Sequence, residues 1–443
     1  MIDESNELRD FWTKKAPEPV RTNQPTAPNV PVGLQKPGLL SQPPKKPNAD
    51  APASPNYTPG EVKEVAAASS TLTLDELLIQ LLDSGSSDLH LTAGMPPMMR
   101  KHGEMMPIPN YSSLSSPKIQ ELVFAVMPEQ KQAEFLKTHE MDFAHSIPGR
   151  SRFRVNVMQQ RGKVGSVIRV IPNEIKSLEQ LGMPIGLEDF SKLPRGLVLV
   201  TGPTGSGKST TLAAIIDAAN RKRKDHILTI EDPIEFVHEN KGCIINQREI
   251  GADTASFPEA LKRALRQDPD IILVGEMRDP ETISIAITAA ETGHLVFGTL
   301  HTQSAAETMS RIIDSFPDGS KEQVRAQLAA TIQGIVCQTL LKTIDGRGRV
   351  AAMEILKGEP AIRALIRKGN EAQIRSALET GKAKGMQTLD MSLMDLVKAD
   401  KVHIDEAANR STAPEQFYQQ IGGESEVARI RRRQEALGGS ATR

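Results

Sequence analysis

The sequence predicts an α/β chain in which a smaller α+β domain precedes a larger domain built on a parallel sheet. Three observations point there. From residue 196 to about 356, short apolar runs alternate with helical segments, the pattern of a parallel sheet covered by helices. Residues 202–209 form a glycine-rich loop between an apolar run and a helix former. Ahead of these, residues 152–157 and 165–171 alternate apolar and polar at period two, as a half-exposed sheet does.

Taken in order, residues 1–70 hold 12 of the 30 prolines and few apolar residues. They cannot bury enough surface to offset their ordering entropy and predict a disordered proline-rich arm. Within the arm, residues 8–12 carry the single Trp, Trp12, either a chance aromatic or a short docking helix. Order is expected from Thr73, an N-cap with Glu76 three residues on. Residues 87–91 predict a strand, 94–97 a turn and 115–139 helix. A small domain therefore spans 71–176, a linker 177–194, the larger domain 195–411 and a flexible basic tail 412–443. The larger domain has apolar runs at 196–201, 227–231, 271–275, 295–299, 335–341 and 349–355. The tail holds Arg429, Arg431, Arg432 and Arg433, read as a solvated charge run or as weak attraction to anionic lipid or nucleic acid.

Composition excludes several classes. The 443 residues suit two or three domains, and 54 basic against 55 acidic residues leave a net charge of −1. No global field therefore favours nucleic acid or an acidic membrane. Cys243 and Cys337 are the only cysteines, too few for a disulfide framework or a four-cysteine zinc site. No apolar run approaches the ~20 residues that span a bilayer, and the acidic N-terminus lacks a signal peptide's pattern. A cytoplasmic chain is expected.

The loop reads Gly202, Pro203, Thr204, Gly205, Ser206, Gly207, Lys208, Ser209, with Thr210 next, a complete phosphate-binding pattern in a strand–loop–helix setting. Its glycines let backbone N–H groups curl around phosphate oxygens, Lys208 reaches the β- and γ-phosphates, and Ser209 holds Mg²⁺. ATP and Mg²⁺ are the expected ligands. A second apolar run ends at Gly275-Glu276, placing one carboxylate to hold Mg²⁺ or polarise water. Between the two lie Glu231, Asp232 and Glu235, which would repel one another without a cation or water chain; this is a place for a base. Finally, His294 and His301 bracket a strand, where they are expected to sense the γ-phosphate.

These four segments, in this order, resemble the secretion and pilus motor ATPases, and most closely the pilus-retraction family of twitching motility. The resemblance covers about residues 72–400, including residues 87–91, 274–279 and 298–302. It implies a PAS-like N-terminal domain, a RecA-like ATPase domain and a ring homohexamer. It also implies Glu235 as the base, Glu276 as its support, Glu231 and Asp232 completing the acidic box, and His294 and His301 as the histidine pair. Arg154 and Arg169 would reach a neighbouring subunit's γ-phosphate, with Arg152 as an alternative; Arg263 and Arg266 would add positive charge. The missing cysteines favour the retraction branch. So do residues 361–368, which match its C-terminal motif except at Ala364 and Lys368, departures that leave open an accessory retraction paralogue. Implied partners are an inner-membrane pilus platform protein and an assembly or accessory retraction ATPase. Nucleic acid is not among them, and membrane association runs only through the machine.

Overall fold

A computed structural model describes residues 72–101, 104–171, 174–346 and 348–438. The arm at 1–70, with its docking segment 8–12, and residues 439–443 of the tail lie outside the described residues.

The first helix, α1 (Leu74–Asp83), starts at its sequence signal. Thr73 Oγ1 accepts the Glu76 N–H at 3.3 Å and Glu76 Oε2 accepts the Thr73 N–H at 3.1 Å. Leu74, Leu77, Leu78 and Leu81 then fall on one face and are buried. They pack on a six-stranded antiparallel sheet with α2 (Ser116–Phe124) and α3 (Glu129–Thr138). Its strands are β1 (Asp88–Leu91), β2 (Met98–Lys101), β3 (Glu104–Pro107), β4 (Glu140–Ile147), β5 (Ser151–Gln160) and β6 (Lys163–Ile171), in the order β3-β2-β1-β6-β5-β4. Phe153, Val155 and Val157 point inward, so Arg152 and Arg154 stand together on the other face. The register sets Arg154 beside Arg169, and Arg169 beside Asp88.

The span expected as a plain linker is packed. Ile185–Lys192 forms a 3₁₀ turn, and Leu178, Leu187 and Phe190 are buried against the larger domain's core.

The larger domain contains β7 (Gly196–Thr201), α4 (Lys208–Lys222), β8 (His226–Glu231), β9 (Ile244–Glu249), α5 (Phe257–Ala264), β10 (Ile271–Val274), α6 (Pro280–Glu291) and β11 (Leu295–Leu300). It continues with α7 (Ala305–Asp314), α8 (Asp318–Thr331), β12 (Ile332–Lys342), β13 (Arg349–Lys357) and α9 (Pro360–Arg367). The sheet order is β13-β12-β7-β11-β10-β8-β9. The central strands are buried along their whole length, as covered parallel strands should be.

Two expectations change here. The sheet is mixed, because β13 runs antiparallel to β12. Their short connection carries Asp345-Gly346, with Gly346 at φ +68°, a hairpin turn rather than a crossover. The sheet also gains β9, a parallel edge strand beside β8. Its Ile-Ile-Asn-Gln-Arg-Glu makes no apolar run, because only one side of an edge strand is covered.

The expectation of a flexible tail at 412–443 is corrected for the described part. After α10 (Ile374–Thr380), α11 (Leu389–Lys398) and α12 (Ile404–Ala408), the chain forms α13 (Pro414–Ile421) and α14 (Gly423–Gly438). Phe417, Ile421, Val427 and Ile430 recur at helical spacing and are buried with Leu393, Val397 and Ile404. Arg431, taken for part of a solvated charge run, pairs with Asp405 and lies over the Tyr418 ring at 5.6 Å.

Candidate active site

The phosphate loop leaves the C-terminal end of β7, which lies between β11 and β12. Gly202, Gly205 and Gly207 have φ of +140°, +77° and +89°, the backbone region that favours glycine. A Cβ on Gly202 would stand 2.2 Å from the Gln338 carbonyl oxygen, whereas one on Gly205 would meet nothing within 4 Å. The loop is thus pinned on its β12 side and open at Gly205. Pro203 and Thr204 are exposed; Ser209 and Thr210 are half-buried in the first turn of α4. Ser206 Oγ is buried and has no hydrogen-bond partner, a polar atom left over within the loop. Lys208 Nζ donates to the carbonyl oxygens of Gly202 at 2.8 Å and Pro203 at 3.2 Å. Burial pulls its pKa down, while the charges of Glu276 and Glu235 pull it back up. Lys208, Glu235 and Glu276 therefore share one electrostatic site.

Glu276 follows β10 through Gly275, where a Cβ would stand 3.1 Å from the Glu231 Cα and the Ile230 oxygen. Close passage of β10 beside β8 accounts for glycine where an aspartate would otherwise stand. Burial works against the Glu276 carboxylate, but hydrogen bonds from Arg278 and the charge of His301 hold its pKa below the ordinary value. Arg278 Nη2 donates to Oε2 at 2.6 Å, and His301 Nε2 lies 2.7 Å from Oε1.

The three carboxylates of the acidic segment do not crowd together. Glu231 turns toward β9, accepting from Thr229 Oγ1 at 2.6 Å and Gln247 Nε2 at 3.1 Å. Burial raises its pKa against these bonds. Asp232 is exposed within the field of Arg278, and Glu235 is exposed within that of Lys208. Different partners for each acid ease the repulsion expected from sequence, but the charge of Glu235 still adds to the rise in the Glu231 pKa.

The histidines separate. His301 follows β11 at the sheet end that carries the phosphate loop. His294 precedes β11, its backbone oxygen accepts the Gly196 N–H, and its Nδ1 lies 2.9 Å from the Ala289 oxygen. The structure does not bring His294 to the loop: bracketing a strand puts the two rings at opposite ends of the sheet. Arg154 lies 3.7 Å from Asp142 and Arg169 2.8 Å from Asp88, both arginines exposed on the small sheet. Arg152 instead reaches Glu249 of the larger domain at 2.6 Å. Arg263, in the last turn of α5, and Arg266, just after it, line a cleft with Ser284, Ile285 and Thr288 of α6.

The family model described as Type II/IV secretion system protein matches residues 68–437. The type IV pilus retraction ATPase PilT of Pseudomonas aeruginosa is 52% identical over 346 residues, 78% of this chain and 100% of that protein. The chain belongs to the PilT family of type II/IV secretion ATPases. The type IV pilus ATPase PilU of the same organism is 42% identical over 336 residues, 76% of this chain and 88% of that protein. A crystal structure of the pilus retraction motor PilT with bound ADP superposes with a TM-score of 0.74 at 44% identity, over 79% of this chain and 99% of that one.

Within this PilT-family site, several working side chains escaped sequence reasoning. Gln338 of β12 clamps the phosphate loop: its Nε2 donates to the Ser206 oxygen at 2.7 Å and its Oε1 accepts from Thr211 Oγ1 at 2.7 Å. The one signal for it in the sequence is an amide side chain inside an otherwise apolar run, a polar group that must find a partner once buried. Arg278 was legible only as part of a motif, and Glu249 and Gln247 belong to the strand that was missed. Among the described residues, no group of three or more His, Cys, Asp or Glu side chains could hold a metal. One hydroxyl and one anionic carboxylate, at Ser209 and Glu276, still suit Mg²⁺, which takes its remaining ligands from phosphate and water.

Proposed function

We propose that this chain is the ATP-hydrolysing, Mg²⁺-dependent motor that retracts type IV pili, working as a homohexamer at the cytoplasmic face of the inner membrane. The observation that carries the reading is the convergence of Lys208, Glu235 and Glu276 at one sheet end, in a chain similar to a retraction ATPase over that protein's full length. The phosphate loop cradles ATP with its backbone N–H groups, and Lys208 neutralises the β- and γ-phosphates. Ser209 and Glu276 would hold Mg²⁺, which would supply charge neutralisation on the phosphates. Glu235 accepts a proton from water as its oxygen attacks the γ-phosphorus and ADP departs. Glu276, kept anionic between Arg278 and His301, fixes the water from the other side. Arg154 and Arg169 complete the site of a neighbouring subunit, which is why they stand exposed on the PAS-like domain of their own. Closing and reopening of such interfaces turns an inner-membrane platform protein, and pilin leaves the fibre base.

Greater similarity to the retraction ATPase PilT than to the pilus ATPase PilU supports the retraction reading. In the C-terminal motif Arg363 keeps a structural task that the departures at Ala364 and Lys368 do not touch. It donates to the backbone oxygens of Gly358 at 2.7 Å and Ala330 at 2.5 Å. No helix among the described residues is long and apolar enough to cross a membrane. The test is deletion of the gene followed by pilus counting and a twitching assay. Hyperpiliated, non-twitching cells are expected, restored by the wild-type gene and not by Glu235→Ala; bare cells would assign the chain to assembly instead.

A further inference from the structure

Arg152 and Glu249 make a link that the hydrolytic chemistry does not itself require. Arg152 lies on β5 of the small domain, and its Nη2 donates to Glu249 Oε2 at 2.6 Å, at the end of β9. The Glu249 side chain is 7% exposed and that of Arg152 22%, against 49% for Arg154 and 70% for Arg169. Of the three arginines, this one is withdrawn from water on its own chain. The same carboxylate oxygen accepts the N–H of Ile234 at 3.1 Å, and Ile234 immediately precedes Glu235. On the far side of Glu235, Gln247 of β9 donates to the Phe236 oxygen at 2.8 Å and accepts the His238 N–H at 2.7 Å. The loop is therefore tied to β9 on both sides of Glu235, and the upstream tie is shared with the small domain. A buried carboxylate that loses its cation is strongly destabilised. If the small domain moves off, Glu249 is left with that cost, and turning its carboxylate out to water relieves the cost by giving up the bond to Ile234.

We propose that Arg152 and Glu249 are positioning residues, a latch through which docking of the small domain on its own ATPase domain aims Glu235 by way of Ile234. The proposal rests on Glu235 being the base. The test is steady-state hydrolysis by the full-length chain carrying Arg152→Met, Glu249→Gln, both changes, or Arg152→Met with Glu235→Gln. Each single variant should lower kcat about tenfold with KM for ATP held within about twofold, the split expected when aim is lost and binding is kept. The double variant should fall no further than the worse single one, because the two side chains act as one link. In the Glu235→Gln background, Arg152→Met should add nothing. Wild-type kcat in Arg152→Met, a Glu249→Gln variant that hydrolyses normally while Arg152→Met does not, or multiplied losses in either double variant would each overturn the latch. Glu249→Gln keeps an oxygen for the Ile234 N–H and carries no charge, so its melting curve should stay near wild type. Arg152→Met strands the Glu249 carboxylate and should melt lower, so turnover of every variant is read well below its own melting range. Failure of the underlying reading is distinct: it is normal turnover by Glu235→Gln alone.

Discussion

His238 shows how single residues in the loop after the acidic segment are set by their surroundings. Burial, with a contribution from Lys241 and against the pull of Asp217, takes its pKa from the ordinary 6.5 to about 4. Between those values the unfolded chain binds a proton that the folded chain does not. Stability is therefore full above pH 6.5 and falls as pH drops toward 4, by about 3 kcal/mol over the whole window. Urea unfolding between about pH 7 and about pH 4.5 should show this slope in the wild type and a flatter one in His238→Gln. Equal slopes would mean that His238 is not held neutral. Gly275 shows the same dependence on neighbours: its identity follows from how closely β10 passes β8, which no property of residues 271–276 alone expresses.

At the scale of elements, local signals and long-range packing divide the work. The capping box at Thr73 and Glu76 and the strand–loop–helix around the phosphate loop were legible because their causes lie within a few residues. Strand β9 and the antiparallel direction of β13 were not, since an edge strand is defined by what covers it and direction by the connection. The same holds for α13 and α14. Phe417, Ile421 and Ile430 are buried in the cluster they share with α11 and α12, and each buried apolar side chain contributes roughly 1.5–3 kcal/mol. Truncation after residue 411 should therefore lower the melting temperature clearly and promote aggregation, as read by calorimetry and light scattering. A truncated chain that melts with the full-length protein would return this segment to the status of a tail.

For the whole molecule, the exposed arginines make the proposed ring testable by chemistry. Arg154 and Arg169 pair with Asp142 and Asp88 on the small sheet, whereas Lys208, Glu235 and Glu276 gather in the larger domain. If the arginines act on a neighbour's nucleotide, Arg169→Ala and Lys208→Ala subunits should each be inactive alone and regain hydrolysis when mixed. An interface that joins the intact loop of one to the intact arginine of the other is complete. Mixtures that remain inactive would place the arginine's action within its own chain.

The sequence by itself determined the nucleotide chemistry. Gly202 to Ser209, Glu276 and the acidic segment carry that information in residue type and spacing, because phosphate binding needs a local backbone shape and a few charges at a strand's end. Only the tertiary structure decided which of those residues share a site. Parallel alignment of β7 and β11 sends His301 to the sheet end that carries the phosphate loop and His294 to the opposite end, while Gln247 of β9 draws the Glu231 carboxylate toward itself. It also brought in Gln338 and Glu249, far from the loop in sequence, since a buried polar group is chosen by the partner it must satisfy.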